Sequence, residues 1–226
     1  TKGIITTGTN KVTITNTATA AIIGHVIPGS TAFTGYINGN LRRNVGATGS
    51  YDFPVGTAAQ YEYSNINLTA SSGLTYIDAF FTAPHTTPID ITSLGLMVGT
   101  SQINELLDYG FWTITPSGGT YTYDVTLTER LHTNPGSTAD AHTVVKRPNA
   151  GSNWVLQGTH LNSTQSMGTS PVNWVTAKRT ALTIFSDFAI AKSNSGTLPV
   201  ELISFDAYLS NGTGVIEWST ASETNC

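Results

Sequence analysis

Short runs that alternate apolar with polar residues follow one another at roughly ten-residue spacing, each closed by Gly, Asn or Pro. That punctuation leaves no room for long helices and commits the chain to β-structure. In "GTYTYDVTLT", Tyr121, Tyr123, Val125 and Leu127 oppose Thr122, Asp124, Thr126 and Thr128. In "KVTITNT", Val12 and Ile14 oppose Lys11, Thr13 and Thr15. "ALTIFSDFAI" reads as one strand with Leu182, Ile184, Phe188 and Ile190 on a common side and Ser186 among them. In "YEYSNINL", Tyr61 and Tyr63 fall out of phase with Ile66 and Leu68, and a one-residue bulge near Ser64-Asn65 would restore the register. Turn chemistry marks Asn38-Gly39, Gly118-Gly119, Asn134-Pro135-Gly136, Asn194-Ser195-Gly196 and Asn211-Gly212. "QINELLDYG" is the one helix candidate, with Ile103, Leu106 and Leu107 at helical spacing over two turns at most.

The expected fold is all-β: two consecutive antiparallel β-sandwich domains followed by a two-strand C-terminal tail. "TAPHTTP" interrupts the strand pattern with two prolines and sets the first boundary, dividing residues 1–84 from 85–197. "KSNSGTLP" has linker composition and sets the second, leaving 198–226 as the tail.

Only 11% of the residues are charged, against roughly 25% in an average soluble domain. Thr, Ser, Asn and Gly must then supply the polar surface, which suits a long-lived extracellular β-protein. The net charge is −4, and Lys and Arg are scattered. No basic stripe exists for nucleic acid or for anionic lipid. No apolar run reaches the ~18 residues of a membrane-spanning helix. Cys226 is the single cysteine and has no internal partner, so it reads as an ordinary thiol or as an intermolecular disulfide. The chain opens on "GIITTG" with no signal-peptide pattern, as a processed or excised piece of something longer.

Signals for catalysis are weak. His25, His85, His132, His142 and His160 stand outside any metal-ligand spacing, although His132 and His142 flank one loop and could meet. There is no nucleophile elbow, no phosphate-binding glycine loop and no calcium loop. The carboxylates are too dispersed to suggest a glycosidase pair. The chain is read as no enzyme, with no cofactor and no metal. Trp112, Trp154, Trp174 and Trp218 fall in strand-like segments, where core packing is the ordinary role. Trp154 and Trp174 are the candidates for sugar stacking, should the chain be a carbohydrate-binding or adhesin module.

The tail, "LPVELISFDAYLSNGTGVIEWSTASETN", resembles the LPVEL…TASE segment near the C-terminus of large secreted surface proteins of Bacteroidota exported by type IX secretion. The similarity rests on Leu198, Pro199, Val200, Glu201, Leu202, Phe205, Trp218, Thr220, Ala221, Ser222, Glu223 and Asn225. "YINGNLRRNVGATGSYDFPVGT", "FWTITPSGGTYTYDVTLT", "VVKRPNAGSNWVLQGT" and "FSDFAIA" are similar to motifs of the same proteins, in the same order. This resemblance implies an extracellular or cell-surface β-protein whose tail opens a fibronectin-type-III-like module, with further strands and a sorting domain expected after Cys226. It supplies no catalytic residues.

Val200, Leu202, Ile203 and Phe205 place apolar groups on both faces of the first tail strand, and Ile216 and Trp218 share a face of the second. A hairpin with that much apolar surface and two open edges must dock on something. The expected role is therefore structural or adhesive: a fibre subunit that self-associates by adding its tail strands to a neighbour.

Overall fold

The structure, a computed structural model, describes residues 3–23, 35–194, 202–210 and 212–220. Its strands are β1 (Ile4–Ile14), β2 (Tyr36–Asn44), β3 (Gly49–Gly56), β4 (Tyr61–Ser72), β5 (Tyr76–Thr82), β6 (Met97–Val98), β7 (Ser101–Leu106) and β8 (Phe111–Pro116). There follow β9 (Thr120–Arg130), β10 (His142–Arg147), β11 (Thr159–His160), β12 (Ser166–Gly168), β13 (Trp174–Leu182), β14 (Asp187–Ser193), β15 (Leu202–Ser210) and β16 (Thr213–Thr220). Helical content among the described residues is confined to short 3-10 turns at Thr19–Ala21, Thr92–Leu94 and Ala139–Ala141. The fold is all-β, with one large mixed sheet and a separate two-stranded antiparallel sheet formed by β15 and β16.

The large sheet folds over on itself along β2. Ile37 and Asn38 pair with Val55 and Gly56 of β3, whereas Leu41–Asn44 pair with the Tyr76–Ala79 run of β5. A strand that changes partner in mid-course turns the corner of a sandwich. Asn38-Gly39 marks this change of partner and closes no hairpin, unlike the turn expected there. Gly39 has φ 129°, and a Cβ on it would lie 2.0 Å from Thr7 Oγ1 of β1. Tyr51, Phe53, Ile66, Leu68, Val125 and Leu127 of one layer close on Ile77, Ala79, Trp112, Ile114, Phe188 and Ile190 of the other in a single core.

That core corrects the expected boundary at residue 84. β4 pairs with β9, and β5 pairs with β8, so the β4–β3–β2–β5 block from before the boundary is flanked on both sides by strands from after it. Thr1–Asn194 is one compact unit, and Ser195–Cys226 is a second. The segment after "TAPHTTP" is no linker. Ile89 and Ile91, with Leu94, Leu96, Val98 and Ile103, cover the outer face of β10 and β14 around Val145, Ala189 and Ala191, a second and smaller core. The sheet also departs from the expected antiparallel pattern, because β1–β2 and β2–β3 run parallel.

Three local expectations change. "QINELLDYG" forms β7, because Ile103 and Leu106 are drawn into the second core as part of an edge hairpin with β6. "ALTIFSDFAI" is split: β13 ends at Leu182, β14 starts at Asp187, and Ile184 between them is exposed. β4 pairs with β3 without interruption from Tyr61 to Leu68, and no bulge occurs at Ser64-Asn65. Tyr61 and Tyr63 instead pack with Tyr36 on the outer face, while Ile66 and Leu68 enter the main core on the inner one.

Candidate functional site

The C-terminal hairpin carries the residues expected to mediate assembly. Its register is Phe205↔Trp218, Asp206↔Glu217, Ala207↔Ile216 and Tyr208↔Val215, after a shift between Leu202 and Ser204. Directly opposed residues share a face and successive residues alternate. Phe205, Ala207 and Ile216 therefore lie on one side, and Ser204, Asp206, Tyr208, Val215, Glu217 and Ser219 on the other. The second side is tied by polar contacts: Ser204 Oγ lies 2.7 Å from Ser219 Oγ, and Tyr208 Oη donates to Glu217 Oε1 at 2.9 Å. Phe205 is 61% exposed and Ile216 58% exposed. Of the expected assembly residues, Val200 lies outside the described residues, as do the side chains of Leu202, Ile203 and Trp218. A two-stranded sheet is marginal in water without a covered face. This one is amphipathic, with its apolar side bare at Phe205 and Ile216.

The two tryptophans proposed for sugar stacking are placed differently. Trp154 is buried in the second core, edge-on to Phe111 and beneath the Arg147 guanidinium at 4.5 Å, so neither ring face is free for a ligand. Trp174 is half-buried at the start of β13, with its ring so close to Gly168 that a Cβ there would lie 2.6 Å away. Trp154 lies on the loop between β10 and β11, and Trp174 opens β13.

A polar cleft of about 230 Å³ opens between the β6–β7 turn, the 3-10 turn before β10 and the segment following β11. It is lined by Thr100, Ser101, Asp140, Thr143, His160 and Asn162, among others. Thr143 Oγ1 accepts from Arg179 Nη1 at 3.0 Å and lies 3.1 Å from His160 Nδ1. Burial and the nearby Arg179 charge lower the His160 pKa, against the opposing pull of Asp140. A neutral imidazole, a hydroxyl row and one carboxylate suit a small polyhydroxylated ligand better than a charged one.

His132 and His142, which the sequence placed on either side of one loop, are both buried, and the His142 charge adds to burial in lowering the His132 pKa. His142 also lines the cleft. Its Nε2 accepts from the Gly136 amide at 2.9 Å and its Nδ1 faces Ala139 O at 3.1 Å. Both nitrogens thus have backbone partners. Burial pushes His132 down to about 4. Among the described residues, no group of three or more His, Cys, Asp or Glu could hold a metal ion.

Sequence reasoning missed one constellation. Because β4 carries no bulge between Tyr61 and Leu68, Glu62 shares the inner face with Ile66 and Leu68. Glu129 shares the inner face of β9 with Leu127, one step beyond the Tyr63–Thr128 pair. Both carboxyls are fully buried. Glu62 Oε2 accepts from the Arg130 amide at 2.8 Å, and Glu129 Oε1 accepts from the Tyr109 amide at 3.1 Å. Burial first, then repulsion from Glu129, holds Glu62 well above the usual carboxylate range, and burial does the same to Glu129. Both carboxyls are sealed from solvent.

Compared with known proteins, the chain matches no family model, no curated protein and no solved structure. No helix among the described residues is long and apolar enough to cross a membrane.

Proposed function

We propose that this chain is a structural or adhesive subunit of an extracellular fibre, assembled by adding the C-terminal hairpin of one copy to the sheet of the next. The observation that carries this reading is the separate two-stranded sheet, amphipathic, with Phe205 and Ile216 bare on its apolar side. Strand addition would satisfy the open backbone edge and cover that side in one step. Donation from one end of a subunit to the body of the next does not close, so it builds filaments rather than rings. The likeness of the tail and of the preceding motifs to exported surface proteins of Bacteroidota supports an extracellular setting. Low charge and Thr-rich strands are consistent with it.

Removal of residues 198–226 is the direct test. The remaining unit keeps both cores and should stay folded and monomeric by light scattering, while the intact chain forms filaments visible by negative-stain electron microscopy. Filaments that persist after the deletion would refute the assembly role of the hairpin.

A second reading, glycan binding, is favoured by the polar cleft rather than by the tryptophans. Titration with neutral monosaccharides, followed by NMR shifts at the His160 imidazole, should show saturable binding that Asp140→Ala weakens at least tenfold. Shifts unaffected by that substitution would dismiss the cleft as the site.

A further inference from the structure

Strand addition needs a receiver as well as a donor, and the edges of the large sheet differ greatly in their fitness for that role. β6 and β11 are two residues long and β12 is three. β10 is longer, but all six of its residues are buried and its far side is bridged at Lys146 by Val155. Short or covered edges are the usual protection against unwanted pairing. β1 has little of it. It is eleven residues long, pairs among the described residues with β2 alone, and exposes most of its side chains. It contains no proline and a single charge, Lys11, while Ile4 and Ile5 are 44% and 55% exposed. One interruption exists: the register jumps from Thr6↔Asn38 to Lys11↔Asn40, which splits the edge into two runs.

The second run, Lys11–Ile14, has the pattern of the hairpin. Val12 and Ile14 pack against the main core, while Lys11 and Thr13 face away from it. A strand laid beside this run continues both rows at once. Phe205 and Ile216 would extend the Val12–Ile14 row. Asp206 and Glu217 would extend the row of Lys11, which is 41% exposed and bonded to Asp78 at 2.7 Å. Apolar meets apolar, and two carboxylates meet one ammonium.

We propose that the outer edge of β1, along Lys11–Ile14, is the receiving surface, and that its occupant is the C-terminal hairpin of a second copy of this chain. This inference rests on the fibre reading and specifies its joint.

The test is made on the full-length chain carrying Cys226→Ser. Two singly substituted chains, one Thr13→Cys and the other either Asp206→Cys or Glu217→Cys, are mixed and oxidised. A disulfide-linked heterodimer is expected from at least one of the two mixtures, and none when Ser72→Cys on β4 replaces Thr13→Cys. In parallel, Lys11→Glu should raise the concentration needed for assembly roughly tenfold, since like charges opposed across strands repel. Adding Asp206→Lys and Glu217→Lys should restore it, a rescue that mere damage to the Lys11–Asp78 pair would not allow. If Lys11→Glu does not fold, the cross-linking mixtures, which retain Lys11, decide alone. Filaments that form normally without cross-linking and without sensitivity at Lys11 would overturn the β1 joint and leave the fibre reading standing. An intact chain that forms no filaments at any concentration would remove both.

Discussion

Asp187→Ala should destabilise the large unit by about 3–5 kcal/mol, because it strands a buried cation. Arg147 is 1% exposed, and its guanidinium pairs with Asp187 Oδ2 at 3.1 Å. The same charge lies 5.0 Å from the Phe111 ring and 4.5 Å from that of Trp154. Thr87 Oγ1 and Ala150 O accept from its Nη1 at 3.2 and 3.4 Å, while its buried Nη2 has no hydrogen-bond partner among the described residues. Thr113 Oγ1 donates to the other carboxylate oxygen at 2.7 Å. The group therefore joins the start of β14 to β8, β10 and the loop that carries Trp154. Removing the carboxylate leaves only neutral acceptors and two ring faces around a desolvated charge. The melting temperature should drop by roughly 10 °C or more for a unit of this size. An Arg147→Met, Asp187→Leu double variant should recover most of the loss, since well-packed apolar residues often replace a buried ion pair at no net cost. A loss below about 1 kcal/mol for Asp187→Ala in urea titration would show that water reaches Arg147 and that the pair is not a structural hub.

The second large effect is a stability that falls as the pH rises. In the folded chain burial holds the Glu62 and Glu129 carboxyls well above the usual carboxylate range, with repulsion from Glu129 adding to the effect at Glu62 and repulsion from Asp108 at Glu129. In the unfolded chain each ionises near pH 4.3. A raised folded pKa contributes stability that is complete below the unfolded value and is lost as the pH climbs towards the folded one. Each retained proton costs about 1.4 kcal/mol per pH unit over that interval. The clean window is pH 6.5 to 8. The buried His85, His132, His142 and His160 have lowered pKa values, and the stability they contribute is lost only as the pH falls below the unfolded histidine value of about 6.5. Lys146, which burial pushes down to about 8, restores stability only above that pH. Urea midpoints should therefore decline from pH 6.5 to 8, and Glu62→Gln with Glu129→Gln should flatten the decline. A flat profile in the unsubstituted chain would mean that the two carboxyls are ionised and hydrated.

These two sites differ in how far the sequence revealed them. Asp187 and Arg147 are ordinary charged residues in strand-like runs, and nothing in their neighbours marks them as partners. The acidic pair was hidden by a specific error of register. Reading Tyr61 and Tyr63 as core residues demands a bulge before Ile66, and it leaves Glu62 on the solvent side. The alternative, two buried faces on one strand, requires knowing that Tyr36 and Arg130 cover the outer tyrosines. Those residues lie 25 and 69 positions away from Tyr61 in the chain, which no local period can report.

The sequence by itself determined that this protein is built of β-strands, because a two-residue period and turn residues act within a few positions of one another. It placed the tail hairpin, whose two strands are neighbours in the chain, and the aromatic face of β9. It also identified the loop that His132 and His142 flank. Only the tertiary structure decided that residues on both sides of position 84 share one core, because that depends on β4 meeting β9 and β5 meeting β8. It alone decided that Trp154 lies under Arg147, that two glutamates share an interior face and that β1 pairs, among the described residues, with β2 alone. Local pattern fixes which faces of a strand are apolar; which other strand covers each face is settled by the packing of the whole chain.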